Sequence, residues 1–161
     1  MVKSMKGLLF ILFPVLLLCS CAKEQNVELV SFTYSGCADS SPSAAAPSTR
    51  SEDTHSLLIL KYTSEGFVIT RTNAIMNCSI NNDGIGCNVS LDGDTIHLSA
   101  HEKGDPLRCV CPVETMTYTL SGLQTGKAYI LDYSCDENFL PISFSYIKDM
   151  TIVIDLDLFR P

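Results

Sequence analysis

Apolar and polar residues alternate with a period of two along most of the chain from Ser56 onward. The clearest case is the segment 114–121, where Met116, Tyr118 and Leu120 alternate with threonines. A period of two places the apolar side chains on one face of a β-strand. No long segment carries the apolar stripe of an amphipathic α-helix. The chain is therefore predicted to be all-β.

Turn signals separate the alternating segments, as at Ser64-Glu65-Gly66 and Asp92-Gly93-Asp94. The predicted strands are 27–34, 57–62, 67–72, 89–91, 95–100, 114–121, 127–134, 142–147 and 150–158. Short strands at this spacing are typical of two sheets packed face to face. We therefore expect a β-sandwich of about 7 to 9 strands.

The segment 118–129 resembles the E-to-F corner of immunoglobulin-like and fibronectin type III domains. Leu123 ends one strand region, Gly126 turns the chain, and Tyr129 opens the next strand. In that corner the tyrosine hydroxyl bonds to the backbone a few residues upstream and holds the crossover between the two sheets. The resemblance implies an immunoglobulin-like sandwich. The alternative interpretation is a plain hairpin with a tyrosine in the core.

The N-terminus combines positive charge with a short apolar run. Lys3 and Lys6 precede residues 7–18, an apolar run interrupted only by Pro14. This pattern is typical of a secretory signal peptide. The run is also shorter than the about 20 residues that a membrane-spanning helix needs.

A cysteine motif follows this run. Leu18-Cys19-Ser20-Cys21 resembles the bacterial lipobox, so we expect cleavage after Ser20 and acyl chains, palmitate among them, on Cys21. Several acyl chains hold a protein firmly at a membrane, whereas one chain binds only marginally. The alternative is an ordinary signal peptide, or a simple anchor with both cysteines unmodified.

Cleavage at this site would leave an acidic chain of one-domain size. Removing residues 1–20 takes away two lysines of the 11 basic residues and none of the 18 acidic ones, which leaves a net charge of −9. Phosphate backbones repel such a chain, so nucleic acid is not expected as a partner. Tryptophan, a common platform for sugars, is absent.

Six cysteines follow the predicted lipidation site: Cys37, Cys78, Cys87, Cys109, Cys111 and Cys135. An even number in an exported chain predicts disulfides, because the compartment is oxidising. Zinc binding competes, but zinc ligands usually arrive as C-x2-C pairs, which are absent here. A bond between Cys109 and Cys111 would close a strained ring. We therefore expect each of these two to have its own partner.

A second resemblance is carried by residues 72–78, by the motif Cys109-Val110-Cys111-Pro112 and by the corner. Together they are similar to small uncharacterised lipoproteins of the Bacteroidetes, although residues 113–114 are Val-Glu where those proteins usually have Tyr-Asp. The resemblance implies that Cys78 pairs with Cys109 or Cys111. We then expect Cys37 to pair with the other, and Cys87 with Cys135. This resemblance implies no enzymatic or binding activity.

The chain thus divides into a signal peptide at 1–20, a lipidated tether at 21–26 and a single sandwich domain at 27–161. Residues 38–55 are rich in Ser, Ala and Pro and lack alternation, which predicts a mobile loop inside the domain. The alternative is a linker, with the domain beginning at Ser56.

The histidines form no site by their spacing. His97 and His101 share a predicted strand face, but four residues at about 3.3 Å each separate them by about 13 Å. This is too far for one metal ion, and solvent-facing positions are expected for both. His55 falls in the predicted loop.

The acidic residues are equally weak signals. Residues 81–84 resemble only a fragment of a calcium loop. Asp155 and Asp157 share a face of the last predicted strand, where they more often protect a sheet edge than act in catalysis. No nucleophile motif, phosphate loop or His–acid pair is visible in the sequence. We therefore predict no enzymatic activity, no metal site and no cofactor.

The sequence favours a cell-envelope lipoprotein that serves as a non-catalytic binding or interaction module. Its partners are expected to be the membrane, through Cys21, and a protein or glycan ligand. An inhibitor of a lysozyme or protease and a structural envelope component are the alternatives. The outer membrane is the expected location, on either its periplasmic or its surface side. Asp94-Thr95-Ile96 also resembles a short O-glycosylation site of Bacteroidetes.

The anchor gives the first testable prediction. Cys21→Ser removes the thiol that forms the thioether with lipid, so the variant should lose palmitate labelling and leave the membrane fraction. Cys19→Ser is the matched control, and it should be labelled and fractionate like the wild type. Palmitate labelling that persists in Cys21→Ser contradicts the lipobox interpretation.

Overall fold

The computed structural model describes residues 26–37, 55–77, 84–103, 110–135 and 138–159. These residues form nine strands: β1 Glu28–Tyr34, β2 Leu57–Thr63, β3 Gly66–Asn77, β4 Ile85–Asp92, β5 Thr95–Glu102, β6 Val110–Ser121, β7 Ala128–Cys135, β8 Asn138–Ser145 and β9 Thr151–Asp155. A 3₁₀ helix, Leu156–Phe159, follows β9. Sheet A has the strand order β1-β6-β3-β2-β9, and sheet B has the order β4-β5-β7-β8. The predicted all-β sandwich is confirmed.

The inner faces of the two sheets form one core. Phe67 of β3 stacks on Phe144 of β8, with ring centroids 4.9 Å apart. Tyr118 of β6 meets the edge of Tyr133 of β7 at 6.1 Å, and their hydroxyl oxygens are 3.4 Å apart. Burial raises the pKa of both hydroxyls. The alternation predicted for β5, β6 and β7 is confirmed, because their apolar sets are all buried in this core.

Strands β3 and β6 extend beyond the predicted segments because both change phase midway. In β3 the buried side chains fall at Phe67, Ile69 and Arg71, and then at Ala74 and Met76. The extra residue at this step is Asn73, whose φ of 52° lies in the left-handed region that asparagine tolerates. The buried set of β6 makes the same step between Val113 and Met116. A strand predicted from strict alternation therefore stops at the residue where the phase changes, before the real end of the strand.

The last strand is shorter than predicted. The expected strand 150–158 ends at Asp155, and the 3₁₀ helix takes up the remaining residues. The backbone N–H of Asp157 donates to Asp155 Oδ1 at 3.0 Å, which stabilises the turn. Asp155 and Asp157 therefore do not share the face of one strand, and Leu158 is exposed.

The strand directions give the sandwich two different ends. At one end, which we name the corner end, the chain enters β1, and the β2–β3, β4–β5, β6–β7 and β8–β9 connections are short turns. At the other, which we name the disulfide end, the chain leaves β1, β3, β5 and β7. The predicted loop 38–55 connects strand ends there and lies outside the described residues, except for His55.

Strands β5 and β7 are parallel neighbours in sheet B. All other strand pairs in the described residues are antiparallel. Immunoglobulin sheets are built from antiparallel pairs. The sandwich therefore has a connectivity of its own, while its β6–β7 crossover matches the predicted corner.

One predicted disulfide is present. Cys37 follows β1 and bonds Cys111 of β6, with a Cα–Cα distance of 5.5 Å. Cys37 also pairs with Val113 in an isolated antiparallel β-bridge. The bond thus fastens the edge strand β1 to its neighbour at the disulfide end. Cys78 and Cys109 lie outside the described residues, as does the predicted lipidation site Cys21.

The expected pair of Cys87 with Cys135 is not formed, since both side chains are thiols. Cys87 on β4 is opposite Ala100 on the neighbouring strand β5. Cys135 ends β7, which lies on the other side of β5, and the residue before it, Ser134, is opposite Ser99 of β5. Two strand spacings of about 4.8 Å therefore separate the two cysteines, beyond the Cα–Cα limit of about 7 Å for a disulfide. Burial raises the pKa of Cys87 to about 11, and Cys135 Sγ contacts Met76 Sδ at 4.0 Å.

The corner between β6 and β7 is built as its sequence pattern predicts. Tyr129 is buried, and its hydroxyl oxygen accepts a hydrogen bond from the backbone N–H of Gln124 at 2.9 Å. Leu123 packs against the core. Gly126 has a φ of 87°, which L side chains rarely adopt. Gly122 is held against the carbonyl of Asn26, which leaves no room for a Cβ atom.

Tyr129→Phe tests this corner. The substitution keeps the ring and leaves the Gln124 N–H without its acceptor, so the free energy of unfolding should fall by about 1–3 kcal/mol. Tyr62→Phe is the control, because the Tyr62 hydroxyl makes no hydrogen bond within the described residues. Equal urea midpoints for the two variants would contradict the role of the corner.

Candidate binding face

The outer face of sheet B is a broad polar surface. The residues of β4, β5, β7 and β8 that alternate with the buried set point to this side, and six of the fourteen named next are serine or threonine. They are Asn88, Ser90, Asp92, Thr95, His97, Ser99, His101, Ala128, Ile130, Asp132, Ser134, Pro141, Ser143 and Ser145. We name this surface the sheet B outer face. The predicted glycosylation candidate Thr95 lies on it, half-buried.

A histidine–aspartate pair lies at the centre of this face. The parallel register places His97 of β5 beside Asp132 of β7, and His97 Nδ1 is 2.6 Å from Asp132 Oδ2. An ionised carboxylate only accepts hydrogen bonds, so Nδ1 is the donor. The His97 side chain is 46% exposed and that of Asp132 is 13% exposed. Asp132 is therefore largely withdrawn from solvent, while the imidazole stays accessible.

The second carboxylate oxygen of Asp132 is orphaned. Oδ1 is buried and has no hydrogen-bond partner among the described residues. Leaving a buried acceptor unpaired costs about 1–3 kcal/mol, and such groups in native structures call for an explanation. A donor supplied by a ligand that approaches this face would satisfy the atom.

The pair corrects the expectation that the sequence holds no His–acid pair and that His97 is simply solvated. The two residues are 35 positions apart, and only the parallel pairing of β5 with β7 brings them together. That pairing gives no signal in the alternation of either strand. The other predicted solvent-facing histidine, His101, lies over Gly86, where its ring leaves no space for a side chain.

Ser90 extends the row on the other side of the histidine. It is exposed on β4 and directly opposite His97, so the row reads Ser90, His97, Asp132. Within the described residues, no hydrogen bond joins the Ser90 hydroxyl to the imidazole. The row has the residue types of a hydrolytic triad without the nucleophile–base contact that such a triad uses.

The corner end of the face is a shallow depression of about 480 Å³, which includes Ile130, Ser143 and Ser145 in its lining. Ile130 is 40% exposed. Lys127 borders the depression, bonding Asp94 at 2.6 Å and lying 5.2 Å from the centroid of the Tyr129 ring. An apolar patch thus lies between a fixed cation and the histidine pair.

No family model, no curated protein and no solved structure matches this chain. In the part of the chain that the structure describes, no helix has the length and apolar character needed to cross a membrane.

A double-mutant cycle on His97→Ala and Asp132→Ala measures the central pair. Because Asp132 is largely buried, we expect a coupling of about 0.5–1 kcal/mol, the upper part of the range for exposed pairs. The exposed pair Lys127–Asp94 is the control and should couple less. Urea unfolding supplies both coupling energies. A His97–Asp132 coupling no larger than that of the control pair contradicts a stabilising role for the His97–Asp132 pair.

Proposed function

We propose that this chain is a lipid-anchored, non-catalytic binding module of the bacterial cell envelope. Its binding surface is the sheet B outer face, and its ligand is a partner protein. The observation that carries the proposal is the orphaned Oδ1 of Asp132, held beside an accessible imidazole in the middle of an open polar face.

The anchor and the fold are compatible in their dimensions. Cys21 precedes Glu28, the first residue of β1, by seven positions. A tether of this length spans at most about 25 Å. The chain enters the sandwich at the corner end, where the Asn26 carbonyl lies against Gly122. Lipid on Cys21 would therefore hold the corner end near the membrane and direct the disulfide end away from it.

This orientation leaves the sheet B outer face accessible from the side. The strands run away from the anchored end, so this face would be on the side of the domain and would not face the membrane. Strands of eight residues, as in β5 and β7, give it a height of about 26 Å at about 3.3 Å per residue. A second envelope protein fits such a position.

The chemistry of the face favours a protein over a glycan. Protein interfaces combine an apolar centre with polar groups that become desolvated on binding. Ile130 supplies exposed apolar area, and the His97–Asp132 pair supplies a nearly desolvated charge. The chain also has no tryptophan, a common stacking platform for sugars.

The same face is poorly suited to catalysis. Ser90 is not activated by a hydrogen bond to His97. A hydrolase also needs backbone donors that converge on a developing oxyanion, whereas strand N–H groups in the sheet are used in pairing with neighbouring strands. The binding role accounts for the pair without requiring either feature.

Site-specific photocrosslinking in the native host tests the proposal. Benzoylphenylalanine at Ser143, on the sheet B outer face, should give a discrete adduct with an envelope protein. The same probe at Thr70, on the outer face of sheet A, is the control. Ile130→Lys should reduce the adduct about tenfold, equivalent to about 1.4 kcal/mol of binding free energy.

Two results would contradict it. Equal adducts from Ser143 and Thr70 would mean that sheet B is not the binding surface. Labelling of Ser90 by a fluorophosphonate, lost in His97→Ala, would show a catalytic serine in place of a binding face.

A further inference from the structure

Three metal-ligating side chains meet at the end of β2 and β9, away from the sheet B outer face. His55 immediately precedes β2, Asp155 ends β9, and Asp157 lies in the 3₁₀ helix. The register of β2 with β9 pairs Leu57 with Asp155, which brings His55 to the carboxylates. His55 Nδ1 lies 3.1 Å from Asp155 Oδ2 and 3.9 Å from Asp157 Oδ2. All three ligand atoms are within 4.8 Å of one another.

These separations suit one small cation. Ligand atoms bound at about 2.0–2.2 Å from a tetrahedral zinc ion are about 3.3–3.6 Å apart. The distances of 3.1 and 3.9 Å from His55 Nδ1 lie on either side of that range, so small side-chain rotations would complete the arrangement. Three protein ligands leave a remaining position for water, as in zinc sites that are not closed.

The backbone already orients the two carboxylates. Asp157 Oδ2 accepts a hydrogen bond from the Ser56 N–H at 2.9 Å, and Asp155 Oδ1 accepts one from the Asp157 N–H at 3.0 Å. The Leu156 N–H donates to the Ser56 carbonyl at 2.8 Å, which closes the same strand end. Such outer contacts orient metal ligands and raise affinity. Solvent reaches the cluster, because the His55 side chain is 66% exposed and each carboxylate is 27% exposed.

We propose that His55, Asp155 and Asp157 bind one divalent transition-metal ion, with zinc as the best fit. An imidazole nitrogen disfavours calcium and magnesium, which prefer oxygen ligands. Aspartate oxygens and an imidazole nitrogen are ligand types that zinc accepts. The ion would link the end of the long β1–β2 connection to the C-terminal segment. It would stabilise the native state, because it binds the folded arrangement of the three ligands.

The test uses the full-length chain purified in detergent and freed of metal with EDTA. Calorimetric titration with zinc chloride should give one ion per chain with a micromolar Kd, and zinc should raise the thermal midpoint. Asp155→Asn and Asp157→Asn keep the shape of the side chains and should weaken binding at least tenfold. His55→Ala should abolish it. Cobalt(II) should give visible absorption bands in the wild type that are lost in His55→Ala.

Two controls separate this site from other zinc ligands. His101→Ala removes an exposed histidine elsewhere, and Cys87→Ser removes a thiol; both should bind zinc like the wild type. The proposal is overturned if the three cluster variants bind like the wild type, if Cys87→Ser abolishes binding, or if binding appears only at millimolar zinc. Failure here leaves the binding role of the sheet B outer face untouched, because the two sites share no residue.

Discussion

The Tyr129 hydroxyl accepts the hydrogen bond of the Gln124 N–H at the point where the chain leaves sheet A for sheet B. This contact fixes where β7 begins and which way it runs. Because β7 enters sheet B beside β5 and in the same direction, its inward residues meet those of β6 across the core. Its outward residue Asp132 meets His97. The core and the candidate binding face both follow from one crossover.

The core is not purely apolar. Arg71 is buried, and its guanidinium bonds the Ser56 hydroxyl and the Thr72 carbonyl, the latter at 2.8 Å. Tyr118 and Tyr133 face each other nearby. Buried polar groups stabilise a fold only when they are satisfied, so each of them restricts which packing is possible. These contacts therefore favour a single register between the two sheets.

Much of the fold was accessible from the sequence because alternation reports burial directly. Every predicted strand has a counterpart, and the corner around Tyr129 followed from its local pattern. At Asn73 the alternation of buried and exposed residues changes phase, so strict alternation could not predict where β3 ends. Cysteine pairing was only partly accessible: Cys37 met one of its two expected partners, but Cys87 and Cys135 are held two strands apart. The order of the strands in the sheet decides that separation, and the sequence of one strand does not show which strands lie beside it. The His97–Asp132 pair was missed for the same reason.

The disulfide between Cys37 and Cys111 has a mechanical consequence. A force that pulls on the chain before β1 enters the sandwich at β1, an edge strand whose other side is free of any strand in the described residues. Such a strand can peel from β6 one hydrogen bond at a time, beginning at Glu28. The peeling stops at Cys37, because the covalent bond to β6 lies at the far end of the strand. Such a force would thus extend the chain by about the length of one strand and leave the rest of the domain folded.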